Sequence, residues 1–344
     1  MTAPVPLESP PCPVCAGARY RPTLTRVRDL VWRKPGEFTL AQCDGCGLVA
    51  TRPRPTPDAL GFYYEDAYSG EAEQGMRHFQ TESGLGKLIA RYRLGVLQKV
   101  RPLSAQDRLL DVGCSYGGFL RVAREATGCR TTGLDADEGS IAQAVDQDAC
   151  DYRVGHLVDQ PDGAGSFECI TFFESLEHHP EPVAALRKAY ALLAPGGACV
   201  VEVPNFGGFW RKVFGRYWLP LLTPQHLFHF TPATLARAFE AAGFPTVTRQ
   251  HTMFYPLEGV ASLGLWLGKV LRSPPPGSPP SWRTPFDLVL VLLLVALYFV
   301  VEVPSQALLR LLNASGHQIA VARKPAATQE AGSSPPDEGP APTR

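Results

Sequence analysis

Between residues 107 and 250 short apolar runs alternate with amphipathic stretches, and the period switches from strand-like to helical and back. Runs at Arg108–Gly113, Thr131–Asp135, Tyr152–Val154, Glu168–Glu174 and Ala198–Pro204 read as strands. Helices are predicted from Phe119, over 138–147 and from Pro182. The last of these keeps Val183, Leu186, Tyr190 and Leu193 on one face and stops at Pro195-Gly196-Gly197. Thr231 caps another helix, which starts at Pro232 and ends at Gly243. Thr246–Gln250 and Gly316–Lys324 read as two final strands. Such alternation predicts a layered α/β unit around a mostly parallel sheet.

The flanks are patterned differently. Residues 1–11 carry four prolines and few apolar groups, and 324–344 repeat that character, so both are expected to be disordered. Residues 12–56 hold four cysteines and leave through Arg52-Pro-Arg-Pro-Thr-Pro57, which reads as a stiff connector from a small separate module. In 57–106 an aromatic stretch (Phe62, Tyr63, Tyr64, Tyr68) precedes a helix with Leu85, Leu88, Ile89, Tyr92 and Val96 at spacings of three and four. The α/β core should span 107–254 and regain its last strand at 315–323, after an insertion over 255–314.

That insertion contains two apolar runs, Leu257–Leu271 and Phe286–Val303, separated by a Pro-rich segment. The second is unbroken over Leu288–Val301, about 21 Å of helix against a hydrocarbon core of about 30 Å. If the flanking strands pair, both ends of the insertion lie on one side of any membrane. A full hairpin would also carry Arg272 and Arg283 across. The pattern favours two apolar helices that cover the functional site or dip into one leaflet, giving peripheral membrane contact through 257–271 and 286–303; a buried cap without lipid contact stays open.

Composition narrows the class. Lys plus Arg and Asp plus Glu number 33 each, so the net charge is zero and the surplus of cations that nucleic-acid binding needs is missing. At 45% hydrophobic residues there is material for a real core. Nine cysteines, an odd number, in a chain without an N-terminal signal pattern point to a reduced, cytoplasmic compartment.

The strongest short motif is Asp111-Val-Gly113-Cys114-Ser115-Tyr-Gly117-Gly118, set between a strand and a helix, where small residues let backbone N–H groups approach a ligand. A dinucleotide site wants Gly-x-Gly-x-x-Gly, but here Ser115 stands at the middle glycine and Asp111 precedes the first. That carboxylate suits a cationic amino group better than a pyrophosphate. The motif resembles the acidic-x-Gly-x-Gly-x-Gly of class I S-adenosylmethionine-dependent methyltransferases, and the likeness continues through Phe172–Pro182, the Pro-Gly-Gly turn and His226–Phe244. It implies a Rossmann-like seven-stranded methyltransferase sheet. It also implies S-adenosylmethionine contacts from Asp111, Gly113, Cys114, Ser115, Gly117 and Glu174, ribose hydroxyls on Asp135, and backbone and apolar contacts to adenine from His156 and Leu157.

Cys12-x2-Cys15 and Cys43-x2-Cys46, each in a small turn, supply four thiolates for tetrahedral structural zinc, across a 27-residue spacer that a ribbon with a long hairpin absorbs. A redox Cys-x-x-Cys explains one pair but not two. Cys114, Cys129, Cys150, Cys169 and Cys199 read as packed thiols.

Glu174-Ser-Leu-Glu177-His178 would bring two carboxylates and an imidazole to one helical face, where they could hold Mg²⁺. It resembles the Glu-x-x-Glu-His of ubiquinone-biosynthesis O-methyltransferases, in which that trio is associated with a divalent metal. Equally, Glu174 could face the cofactor while the other two bond to loop backbone. His226, then His229, are the candidate bases for an oxygen acceptor, with Phe172, Phe173, Phe206, Phe209 and Trp210 as candidate lining of a nonpolar pocket. The acceptor implied is a small molecule, a sugar or a lipid-linked intermediate; a zinc-ribbon binding module or a membrane scaffold on a catalytically silent fold is the competing class.

Overall fold

The computed structural model of the chain describes residues 5–66, 69–161, 167–245, 247–253, 258–270, 293, 296–312 and 314–326. The N-terminal part forms β1 (Leu7–Glu8), β2 (Tyr20–Val27), β3 (Phe38–Cys43), β4 (Val49–Arg52) and β5 (Arg54–Pro55), then α1 (Pro57–Tyr64), α2 (Gly70–Thr81) and α3 (Gly84–Val100). The alternating region supplies β6 (Arg108–Val112), α4 (Gly118–Thr127), β7 (Arg130–Asp135), α5 (Glu138–Ala142), β8 (Asp151–Val154), β9 (Phe167–Phe173), α6 (Pro182–Leu192) and β10 (Leu193–Pro204). After these come α7 (Phe209–Phe214), β11 (Phe228–His229), α8 (Pro232–Ala241), β12 (Val247–Met253), α9 (Glu258–Val270), α10 (Val303–Leu311) and β13 (His317–Arg323).

The central sheet has seven strands in the order β12-β13-β10-β9-β6-β7-β8. Strands β8, β7, β6, β9 and β10 pair in parallel, while β13 runs antiparallel between β10 and β12. Central strands of such a sheet are covered on both faces, which is why they are apolar throughout instead of alternating. Adjacent residues of β6 show this: Leu109 packs in a cluster with Leu94, Leu97 and Leu120, whereas Leu110 packs on the other face with Leu186 and Leu192. All five parallel strands end at one edge. His317, which opens the antiparallel β13, lies at that same edge opposite Pro204, so the loops after β6, β7, β9 and β10 and the start of β13 converge there.

Three expectations need correction. The helix expected over 138–147 is only α5, ending at Ala142; the Gln147 side chain bonds back to the Ile141 carbonyl at 2.7 Å, and Val145 N–H donates to Tyr116 O at 3.0 Å. Tying the segment to the glycine loop in this way leaves no room for further turns. The described part of the lead-in, 5–11, is ordered, because β1 pairs with β5, and Arg54 of the expected connector is buried, bonding Glu8 and Pro180 O at 2.8 Å each. The cysteine-rich part is not separate: β11 completes its sheet in the order β11-β4-β3-β2. Cys12, Cys43 and Cys46 share a core cluster with Leu227, Phe228 and Leu235, and Arg237 donates to Cys46 O at 2.6 Å. So few residues cannot bury an adequate core of their own, and they borrow that of the sheet. Residues 1–4, Tyr68, the stretch 271–292 with Arg272 and Arg283, and the tail from 327 lie outside the described residues.

Candidate active site

Gly113 and Gly117 adopt φ of +79° and +76°. A Cβ at Gly113 would overlap the Ser175 side chain, and one at Gly117 the Tyr152 hydroxyl. Gly113 and Cys114 N–H both donate to Leu134 O, at 2.7 and 3.2 Å, which fixes the loop on the end of β7. Ser115, at the place where glycine was the expectation, takes φ of +47°, a strained conformation for a side-chain-bearing residue. Its N–H donates to Asp135 Oδ2 at 2.8 Å, Asp137 N–H donates to Oδ1 at 3.0 Å, and its own hydroxyl is buried without a partner among the described residues. Beyond β8, Leu157 is buried and His156 exposed at the loop rim.

Asp111 is buried and accepts from Thr171 Oγ1 at 2.6 Å. Burial pushes its carboxyl up to about 7, against the opposing pull of the Thr171 hydrogen bond and the Arg93 guanidinium. Burial also raises Asp135.

On the other half of the edge, Glu174 leaves β9 at φ of +54° with its N–H on Glu202 O at 2.9 Å. That turn aims Oε2 at His317 Nε2, 3.3 Å away, while Oε1 is buried without a partner among the described residues. Arg93 of α3 donates to Glu202 Oε2 at 2.5 Å and lies over the Phe173 ring at 4.8 Å. Glu258 of α9 abuts Gly316 and accepts from Trp218 Nε1 at 2.5 Å. Burial alone would lower His317, but Glu174, then Glu258 and Glu202, hold it above the usual histidine range. Burial raises Glu202, Glu258 and Glu177. Five carboxyl groups (Asp111, Glu174, Glu177, Glu202, Glu258) thus outnumber two cations (Arg93, His317) at this end of the sheet, and burial opposes ionisation of Asp111, Glu177, Glu202 and Glu258, so a cationic ligand is favoured because it would offset that burial. His317, Arg93, Glu202 and Glu258 went unmarked in the sequence, because each sits in a segment legible only as strand or helix.

The expected metal trio is regrouped. Glu174 faces His317, and the three groups whose ligand atoms lie within 4.8 Å of one another are Glu177, His178 and His226. This donor set does not fit Mg²⁺, which prefers oxygen ligands: one carboxylate remains, and His178 Nδ1 already meets Tyr64 Oη at 2.7 Å and Gln225 O at 3.1 Å. His226 Nδ1 donates to Pro220 O at 2.9 Å, and burial, with His178 and His229 nearby, holds the ring well below the usual range. His229 lies on β11, 3.4 Å from Thr51 Oγ1, and burial takes it down to about 3. Burial thus disfavours the protonated form of both candidate bases, and both lie where the cysteine-rich sheet meets the core. Phe172, Phe173 and Phe206 are buried; Phe209 is exposed and Trp210 packs on Gly259, so neither belongs to a pocket lining.

The four N-terminal cysteines converge, with Sγ–Sγ distances of 3.4 Å for Cys12–Cys46 and 3.5 Å for Cys15–Cys43. All four sulfurs lie within 4.8 Å of one another. Burial raises the Cys15 and Cys46 thiols, whereas N–H donation from Cys46 and Gly45 outweighs burial at Cys43 and lowers it. Cys114, Cys129, Cys150, Cys169 and Cys199 are all buried.

Residues 76–249 match the family model described as a methyltransferase domain. The chain is 30% identical over 172 residues to the ubiquinone biosynthesis O-methyltransferase of Aromatoleum aromaticum, covering 46% of this chain and 73% of that protein. It is 31% identical over 183 residues to the enzyme of the same name from Xanthomonas axonopodis pv. citri, covering 49% and 74%. Among solved structures, phosphoethanolamine N-methyltransferase 2 of Haemonchus contortus, in complex with phosphomonomethylethanolamine and S-adenosylhomocysteine, superposes with a TM-score of 0.51 at 15% identity, over 79% of this chain and 61% of that one. The chain belongs to the methyltransferase domain family. It is a class I S-adenosylmethionine-dependent methyltransferase, with ubiquinone-biosynthesis O-methyltransferases among its relatives.

Proposed function

We propose that the protein methylates a hydroxyl oxygen of a small-molecule acceptor and that the Glu174–His317 pair takes the acceptor's proton. One observation carries this reading: Glu174 Oε1 is buried and without a partner among the described residues while Oε2 is held by His317, an arrangement that leaves one oriented carboxylate oxygen for a substrate group. The site also fits S-adenosylmethionine. Its shortage of positive charge suits a sulfonium and an ammonium, Asp111 and the positive-φ loop suit the amino-acid end, and Asp135, fixed by two N–H groups, suits a ribose. When bound, that cofactor supplies an electrophilic methyl group on a cationic sulfur.

The chain's own residues do the rest. Asp111 becomes ionised against a cation, since a nearby positive charge offsets the burial that raises it. Asp135 orients the ribose. Phe173, buried at the end of β9, helps to exclude water, and most of the rate comes from alignment. Glu174 accepts the proton on its free oxygen as the new C–O bond forms, with its other oxygen held in place by His317.

Cys12, Cys15, Cys43 and Cys46 we assign to a structural zinc ion, which would fix the turns that β3 and β4 present to β11. The test of function is to incubate the protein with isotope-labelled S-adenosylmethionine and separate soluble and lipid extracts, then locate the label by mass spectrometry. Label on oxygen, lost in Glu174→Gln, supports the reading; label on nitrogen or carbon, or undiminished transfer by that variant, refutes it.

A further inference from the structure

Glu258 opens α9 in the insertion between β12 and β13, beyond the residues 76–249 that match the methyltransferase family model. Among the described residues no helix is long and apolar enough to cross a membrane; α9 instead brings its first residue to the catalytic edge of the sheet. An acid in the first turn of a helix is usually explained by the N–H groups left free there. Here that role belongs to another residue, because the Gly259 and Val260 N–H groups of α9 donate to Glu302 at 2.9 Å each.

The Glu258 side chain goes elsewhere. Trp218 Nε1 donates to Oε1 at 2.5 Å, and Oε2 is buried without a partner among the described residues. The carboxylate fills the space that a Cβ on Gly316 would take, so glycine at that position is what admits it. The next residue is His317, whose Nε2 lies 3.3 Å from Glu174 Oε2. Both sides of this contact are fixed from the core. Trp218 packs in a cluster with Val27, Leu40 and Phe206, and Ser262 Oγ donates to Glu258 O at 2.6 Å while accepting from Leu219 N–H at 3.0 Å. Across from them, Asn205 N–H donates to Gly316 O at 2.6 Å and Asn205 Nδ2 to Ser315 O at 2.9 Å.

A buried carboxylate with a single donor is costly unless a cation offsets it. The charged groups around His317 are Glu174 at the end of β9, Glu202 of β10 and Glu258 of α9, with the His226 ring nearby. Arg93 of α3 is engaged by Glu202, and His317 is the cation that opposes the burial of Glu258. We infer that Glu258 is a positioning residue of the catalytic edge: it secures the His317 ring, which in turn holds the Glu174 carboxylate with one oxygen left for the acceptor. The inference deepens the proposed methyl transfer and rests on it, since the group kept in place is the proposed base. On this account the insertion belongs to the active site and is more than a cover over it.

The test uses the full chain and two variants. Glu258→Gln keeps the size of the side chain and an oxygen for Trp218 but removes the charge, whereas Glu258→Asp keeps the charge and draws it back. The His317 ring is followed by NMR in protein carrying isotope-labelled histidine, its signal assigned by its loss in His317→Gln. In the wild type it should titrate above the ordinary value of about 6.5. In Glu258→Gln it should titrate at least about one pH unit lower than in the wild type, and in Glu258→Asp lower by a smaller step. Transfer to oxygen should lose about tenfold in kcat in Glu258→Gln, its alkaline fall should begin at a correspondingly lower pH, and calorimetric affinity for S-adenosylmethionine should be unchanged. The role of Glu258 is overturned if the wild-type ring titrates at or below about 6.5, or if removal of the charge leaves the titration unmoved, whatever happens to kcat. Should the glutamine variant not fold, an unmoved titration in Glu258→Asp overturns it equally. Label on nitrogen or carbon with the wild type would overturn the methyl-transfer reading and this role with it; label on oxygen with an unmoved titration would overturn the role alone.

Discussion

The two halves of the catalytic edge are built in opposite ways. At the β6–β7 half, one contiguous stretch, Asp111 to Gly117, makes a cradle tied to the end of β7 and to Asp135 mostly through backbone N–H groups. At the β9–β10–β13 half the working groups come from α3, the end of β9, β10, α9 and β13, separated by more than two hundred residues of chain, and meet mainly through side chains. The first half resists drift because backbone geometry enforces it. The second depends on every member, since each buried carboxyl lacking a cation would be uncompensated.

Substitutions should therefore separate the halves. Removing a carboxylate that bonds two ribose hydroxyls should cost about 3–6 kcal/mol of cofactor binding, so Asp135→Ala should raise the calorimetric dissociation constant by roughly a hundredfold or more while kcat at saturation changes little. An equal loss in both would mean that the cradle is not a local unit. Glu174→Gln should do the reverse, lowering kcat by about 10²–10³ with cofactor affinity retained. His317→Gln should give a smaller loss and shift the pH profile, because the imidazolium acts through Glu174.

The pH dependence sharpens the contrast further. In the folded protein Asp111 holds its proton up to about 7, against about 4 in an unfolded chain. The folded state binds the extra proton, so this carboxyl lowers stability as pH rises from about 4 to 7, and a bound cation relieves that cost. Cofactor affinity should weaken about tenfold per pH unit below 7, and Asp111→Asn should flatten the slope. His317 runs the other way: its folded value is raised, so its contribution to stability is complete below the unfolded value and is lost as pH climbs through the folded one. The smallest effect is expected from Gly316→Ala. Its Cβ would run into the Glu258 carboxylate, and about 1–3 kcal/mol of stability should be lost as the insertion shifts, visible as a lower midpoint in thermal unfolding.

Legibility followed the same division. Strand and helix periods placed the sheet within a residue or two at most ends, and the glycine loop, Asp135 and the four cysteines were readable because spacing along the chain carries their chemistry. His317 was invisible, since a histidine at the head of a strand acquires meaning only when Glu174 turns toward it. The grouping of Glu177, His178 and His226 failed to be foreseen for a related reason: the spacing argument assumed a helix, and the segment is a single short 3₁₀ turn over Leu176–His178, which sends Glu174 elsewhere. The cysteine module looked independent because nothing in its own sequence discloses that Phe228–His229 pairs with β4.

The most direct test is calorimetric titration of the purified protein with S-adenosylmethionine at pH 7.5 and again at pH 6. Saturable binding at one site per chain, roughly tenfold weaker at the lower pH, is the predicted result. No binding of S-adenosylmethionine, together with saturation by a nicotinamide or flavin dinucleotide, would contradict the account at its base.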